Sequence, residues 1–220
     1  MTRPELTRLQ LDILRALSGV EPPWTLTGGA ALAGVHLGHR STRDLDLFWH
    51  GATRLDTVVE TVEDRLARAS MQVEARQRTS SFVRLVVRRG EEATVVDLVA
   101  EPVEGIEAPV TAALDDFTVL VDTPHEILVN KLNALLSRSE IRDLVDVRAL
   151  LARGGDLDRA VHDAASKDAG FSATTLAWVL RGLPVEALVR ASDMPAAEGP
   201  GLQAFRDELV ARLTAETSPG

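Results

Sequence analysis

Beyond Thr123 the apolar residues of this chain recur only at helical spacing, whereas before it short alternating runs are broken repeatedly by Gly and Pro. The switch is marked by Thr123-Pro124-His125-Glu126: a capping threonine, a proline at the first helical position and a glutamate at the third. Helices are predicted over 124–137, 140–152, 156–167, 172–182 and 202–214, with a loop at 191–201 and a frayed tail, ETSPG. Upstream, strands are predicted at Trp24–Thr27, Asp44–Trp49, Ser81–Arg88 and Ala93–Ala100, the last two joined by a turn at Gly90. Helices over 5–18, 30–37 and 56–69 lie between them. The expected fold is α+β: a small mixed sheet of about four strands with helices in residues 1–120, then a helical domain in 121–220, with the boundary near 118–122.

Composition removes several classes of function. The chain has 220 residues and no cysteine, which excludes a disulfide scaffold, thiolate zinc sites and a cysteine nucleophile. It has no apolar run of ~18 residues and no signal-peptide core at its start, so a soluble cytoplasmic protein with no membrane contact is expected. A net charge of −9 makes it a poor bulk binder of nucleic acid. Yet the stretch from Arg65 to Gly90 holds seven arginines against one acid, Glu74. That stripe is either a solvated hairpin or a local grip on a phosphate backbone, with Arg76, Arg78 and Arg84 as the RNA-binding candidates. Of 24 cationic residues only two are lysines, Lys131 and Lys167, so a retained ammonium invites a functional question.

Two constellations carry chemistry. In LTGGAALAGVHLGHRSTRDLDLF, residues 26–48, a strand runs into Gly28-Gly29 and a helix. Glycines there let a phosphate approach the backbone and the helical N–H groups, although neither a P-loop nor G-x-G-x-x-G is present. Asp44 and Asp46 then share one face of a strand, their Cα atoms ~6.6 Å apart. Two carboxylates so placed suit a hard cation such as Mg²⁺, or a metal pair that clamps a phosphoryl displacement. A solvated strand face has the same polar–apolar alternation. Asp97 lies in an otherwise apolar strand, where an unpaired carboxylate would cost several kcal/mol. It must share the metal or find an arginine, Arg84 being the neighbour across the hairpin.

In the second constellation, residues 123–151, a helical projection of about 100° per residue sets Lys131 between Ile127 and Leu135, inside the apolar arc. Such an ammonium faces a polar cleft, where it would suit a triphosphate, or snorkels to the rim. On the next helix Arg142, Asp143 and Asp146 cluster by i+3 and i+4 spacing, which a plain surface ion pair would also explain.

Together these segments resemble the AbiEii/MenT-type toxins, a branch of the DNA-polymerase-β-like nucleotidyltransferases. The matching stretches are LTGGAALAG at 26–34, Arg40 with STRDLDLF at 41–48, and KLNALLSR followed by RDLVDV between 131 and 147. The resemblance implies a polymerase-β-like core and an enzyme that moves NMP from an NTP to an acceptor with loss of pyrophosphate. It implies nucleotide binding by Gly28, Gly29 and Lys131, metal ligation by Asp44 and Asp46, and catalytic roles for Asp44, Asp46, Lys131 and Asp146. Mg²⁺, or Mn²⁺ in its place, is the implied cofactor. The implied acceptor is RNA, most of all the 3′ end of tRNA, with translation blocked as the result and a cognate antitoxin as partner. Many members of the superfamily have serine where this chain has Gly29. The rival readings are nucleotidylation of an aminoglycoside-like small molecule or of a protein hydroxyl, and a non-catalytic module that grips an NTP or a partner.

Overall fold

The computed structural model describes residues 6–215. The first position of the predicted 5–18 helix and the ETSPG tail lie outside the described residues. The chain divides after Glu126 into two compact units.

The first unit is built on a seven-stranded mixed sheet in the order β3-β4-β5-β2-β1-β7-β6. Its strands are β1 (Thr25–Thr27), β2 (Asp44–His50), β3 (Gln72–Arg78), β4 (Phe82–Arg89), β5 (Glu92–Glu101), β6 (Val110–Leu114) and β7 (Phe117–Val121). β2 runs parallel to β5 and β1 parallel to β7, and the remaining pairs are antiparallel. Helix α1 (Arg8–Leu17) packs against β5, and α3 (Val58–Arg68) against β3. α2 (Gly28–Ala31) continues as a π-helical turn, Leu32–His36.

The sheet is therefore larger than the four strands the sequence predicts, and the reason is local. β3 reads QVEARQR and is exposed along nearly its whole length at the sheet edge, so it has no apolar alternation to detect. β6 is likewise mostly exposed, and β7 runs into the segment expected to be the boundary.

The alternation of β2 sets up everything that follows. Leu45, Leu47 and Trp49 are buried, and the residues between them are half-buried. Each fully buried leucine is worth about 1.5–3 kcal/mol. A one-residue slip would drive Asp44 and Asp46 into the core, so the leucines lock the acids onto the opposite face.

The second unit is helical among the described residues. It holds most of α4 (Pro124–Ser137), then α5 (Ile141–Ala152), α6 (Leu157–Lys167), α7 (Ala173–Arg181), α8 (Val185–Ala191) and α9 (Glu198–Ala215). α9 contacts α5, α7 and α8. The Thr123 cap forms as the sequence predicts, with the Glu126 N–H donating to Thr123 Oγ1 at 3.1 Å. The Glu126 carboxylate accepts from the N–H groups of Ile106 and Glu107. α8 falls between the predicted helices. α9 begins inside the predicted loop, because Pro200 sits in its first turn, where no N–H is needed. No described helix is long and apolar enough to cross a membrane.

Candidate active site

Strand register assembles a row of side chains across the first unit's sheet. Thr27 on β1 stands beside Asp46 on β2, Asp46 beside Asp97 on β5, Asp97 beside Arg84 on β4, and Arg84 beside Gln77 on β3. Asp44 lies two residues from Asp46 on the same face. The three acids named from the sequence thus share one side of one sheet.

The glycine pair follows Thr27 directly. Gly28 has φ +61°, and a Cβ there would overlap the Asp46 carboxylate, so a side chain is excluded on two grounds. A Cβ at Gly29 would lie 2.9 Å from Arg40 Nη2 and 3.1 Å from Thr42 Oγ1. Thr42 Oγ1 donates to Asp44 Oδ1 at 2.7 Å, and its own carbonyl accepts from the buried Gln10 Nε2 at 3.2 Å. Helix α1 therefore braces the loop that orients Asp44. Arg40 and Thr42 were quoted only as part of a motif. Their positions against the glycine turn depend on how the 37–43 loop folds back, which no periodicity encodes.

Asp97 is only 7% exposed and gives both oxygens to Arg84, Nε to Oδ1 at 2.8 Å and Nη2 to Oδ2 at 2.6 Å. The expected gathering of Asp44, Asp46 and Asp97 around one cation is thus not the arrangement shown. The register sets Arg84 opposite Asp97, and a bidentate guanidinium satisfies a buried carboxylate well. Among the described residues no group of three or more His, Cys, Asp or Glu side chains is arranged to hold a metal. The donor chemistry of Asp44 and Asp46 still fits Mg²⁺ or Mn²⁺: hard oxygens, half-buried, on one face and packed closely against a glycine turn. Hydrogen bonding by Asp97, then its charge and those of Asp44 and Asp46, hold the Arg84 guanidinium above its ordinary pKa in spite of partial burial.

The arginine stripe is largely compensated. Arg76 pairs with Glu74 at 2.9 Å, Arg78 with Glu63, and Arg89 with Asp12 at 2.7 Å. Arg84 faces the acids rather than joining Arg76 and Arg78 in an open patch.

In the second unit, Lys131 is 7% exposed, and its ammonium neither faces solvent nor snorkels. Nζ lies 2.7 Å from Asp143 Oδ1 and 2.9 Å from Asp146 Oδ2, and both acids are almost completely buried. Arg138 closes the cluster, with Nε 2.9 Å from Asp143 Oδ2 and Nη2 3.1 Å from Oδ1. Desolvation is the strongest single influence on Lys131 and lowers its pKa, but attraction to Asp146 and Asp143, with the hydrogen bonds they accept, leaves it raised. Asp143 is desolvated as strongly, yet the Arg138 hydrogen bond and Lys131 hold it below the usual carboxylate value. The predicted grouping of Arg142 with Asp143 and Asp146 does not form. Arg142 is exposed and lies 4.0 Å from Glu140, because Asp143 and Asp146 turn with Leu144 and Val147 toward the interior. An apolar-arc lysine demanded buried acids, and the i, i+3 pair Asp143 and Asp146 was the available signal.

A sequence model of a known family, described as nucleotidyl transferase AbiEii toxin of type IV toxin–antitoxin systems, matches residues 12–215. This chain belongs to the AbiEii nucleotidyltransferase toxin family. Solved structures of the same fold include MenT4, a nucleotidyltransferase toxin from Mycobacterium tuberculosis H37Rv, at 20% identity and a TM-score of 0.61 over 94% of this chain and 82% of that one. JHP933 from Helicobacter pylori is similar at 19% identity and a TM-score of 0.56 over 97% of each chain. An antigenic nucleotidyltransferase-like protein from Paracoccidioides brasiliensis follows at 18% identity and 0.51, over 87% of this chain and 97% of its own. None of the curated proteins compared with the chain matches it. The AbiEii membership covers both the β2 acid pair and the Lys131 cluster.

Proposed function

We propose that this AbiEii-family protein uses an NTP to transfer a nucleoside monophosphate to RNA, at the 3′ acceptor end of tRNA, and so blocks translation until an antitoxin restrains it. The observation that carries this reading is the placing of Asp46 between Thr27 and Asp97, with its carboxylate where a Gly28 side chain would be. Acids pressed against a glycine turn are an arrangement that favours a cation and a phosphate chain together.

In this mechanism the acceptor hydroxyl oxygen attacks the α-phosphorus, the bond to the bridging oxygen breaks, and pyrophosphate departs. Asp44 and Asp46 would hold a divalent cation, Mg²⁺ or Mn²⁺, which when bound would neutralise charge on the triphosphate and polarise the α-phosphorus. Thr42 keeps Asp44 oriented through its hydroxyl. Gly28 and Gly29 offer backbone N–H groups to the phosphates. Asp97, once free of Arg84, takes the acceptor's proton. Lys131, whose ammonium is held by Asp143 and Asp146, is assigned the role of offsetting triphosphate charge as pyrophosphate departs. RNA contact is assigned to Arg76 and Arg78 on the exposed edge strand β3, with Arg84 reaching RNA only after leaving Asp97.

One observation favours a second reading, in which the acceptor is a small-molecule or protein hydroxyl: Arg76, Arg78 and Arg84 are each paired with a carboxylate. Incubation with total tRNA, Mg²⁺ and each labelled NTP separates the two. Label in tRNA from wild type, lost in Asp44→Ala and Lys131→Ala, is the expected result. Transfer that survives either substitution contradicts the assignment. Pyrophosphate release without labelled tRNA favours the second reading, and no release at all indicates a binding module.

A further inference from the structure

We propose that Arg84 is an internal counter-cation that competes for Asp97 with a divalent cation at the β2 acids, and that it thereby sets the metal affinity of the site. This rests on the nucleotidyltransferase reading of Asp44 and Asp46.

Arg84, Asp97 and Asp46 are consecutive members of one cross-sheet row, so the guanidinium lies on the side of Asp97 away from Asp46 and holds the carboxylate there. Both carboxylate oxygens of Asp97 accept from the guanidinium, at 2.8 and 2.6 Å, which offsets their charge and takes up lone pairs that a shared cation would use. The Arg84 side chain is 47% exposed against 9% for Asp97. One partner is fixed in the sheet and the other reaches in from solvent, so release leaves a hydrated guanidinium rather than a buried, unpaired charge. Its carbon lies 5.6 Å from the Phe82 ring centroid, which gives the stem a platform beside the site.

Competition decides the outcome. Solvent reaches the Arg84 side of the pair and weakens it, although the bidentate fork keeps it above a plain surface ion pair. A divalent charge beside three carboxylates draws Asp97 away from the single guanidinium, and the strength of the pair is subtracted from the observed affinity. Arg84 is a positioning residue: it acts on the cation through Asp97. The same exchange couples metal loading to delivery of a guanidinium next to the incoming phosphates, where its bidentate fork is useful.

The test is Mn²⁺ binding to the full chain without nucleotide, read from the electron paramagnetic resonance signal of free Mn²⁺. Wild type, Arg84→Gln, Arg84→Lys and Asp46→Asn are compared after circular dichroism has established that each is folded. Arg84→Gln is expected to bind Mn²⁺ at least about 5-fold more tightly than wild type, because Asp97 loses its competing cation. Arg84→Lys, which keeps the charge but loses the fork, is expected to fall between them. A role confined to holding β4 and β5 together would not tighten Mn²⁺ binding in either variant. Unchanged or weaker binding in both arginine variants, with binding abolished in Asp46→Asn, overturns the inference and leaves the enzymatic reading standing. Absence of binding in wild type and arginine variants alike overturns both.

Discussion

The two charged clusters of this protein use the same residue types to opposite ends. In the second unit, Lys131 sits between Asp143 and Asp146, all three at 7% exposure or below, with Arg138 sealing the outside. In the first unit, Asp44 and Asp46 are half-buried beside a glycine turn, and Asp97 is covered by an arginine that is itself half in solvent. The sealed cluster holds the protein together and points an ammonium in a set direction. The open one can exchange its cation. Burial, more than charge, separates an ion pair that is fixed from one that can exchange its partner.

Substitutions on the two sides should therefore fail differently. The largest effect is expected from Asp46→Asn, which should reduce nucleotidyl transfer by more than ~100-fold, the upper end for residues that surround a bound metal. Its stability should change by no more than about 1 kcal/mol, as for a charged group that is only half-buried. Lys131→Met should do the reverse in equilibrium denaturation, lowering stability by about 3–5 kcal/mol because two buried carboxylates lose their shared partner. Equal destabilisation by the two would erase the distinction drawn here.

Gly28→Ala is expected to cost about 1–2 kcal/mol from the left-handed backbone alone, measured by urea unfolding. It should also reduce transfer, because its methyl group displaces Asp46.

Titration sharpens the sealed side. The depressed pKa of Asp143 means its contribution is present above the ordinary carboxylate value of 3.8 and lost as pH falls through the folded value. The raised pKa of Lys131 gives a contribution present below 10.5 and lost as pH rises through the folded value. Melting temperatures of wild type and Asp143→Asn should differ most between those limits and converge in acid.

The smallest stability effect belongs to Arg76→Glu with Arg78→Glu, within about 1 kcal/mol for two exposed pairs. If RNA is the acceptor, the same double variant should weaken label transfer to tRNA and reduce its dependence on salt.

The sequence was most readable where one face of an element is buried. DLDLFW announced β2, its register and the common face of Asp44 and Asp46, because Leu45, Leu47 and Trp49 alternate with them. Asp97 was visible as a carboxylate in an apolar strand, and its two candidate partners were both named. The Arg84 partner was implicit in the β4–β5 hairpin, whose register sets it opposite Asp97. Lys131 was legible as a buried ammonium, but its partners lie on the following helix, and an i, i+4 pattern drew attention to Arg142 instead. β3 and β6 escaped because edge strands with exposed side chains carry no hydrophobic period. Thr42 and Arg40 escaped because loop closure is set by contacts such as Gln10 with the Thr42 carbonyl, far apart in sequence.

The central claim is that the half-open acid pair on β2 is where chemistry occurs. Its most direct test is single-turnover label transfer from each NTP to tRNA by Asp46→Asn protein whose circular dichroism and urea midpoint match wild type. Wild type should label tRNA with at least one nucleotide and the folded variant with none. Comparable labelling by both would contradict the account.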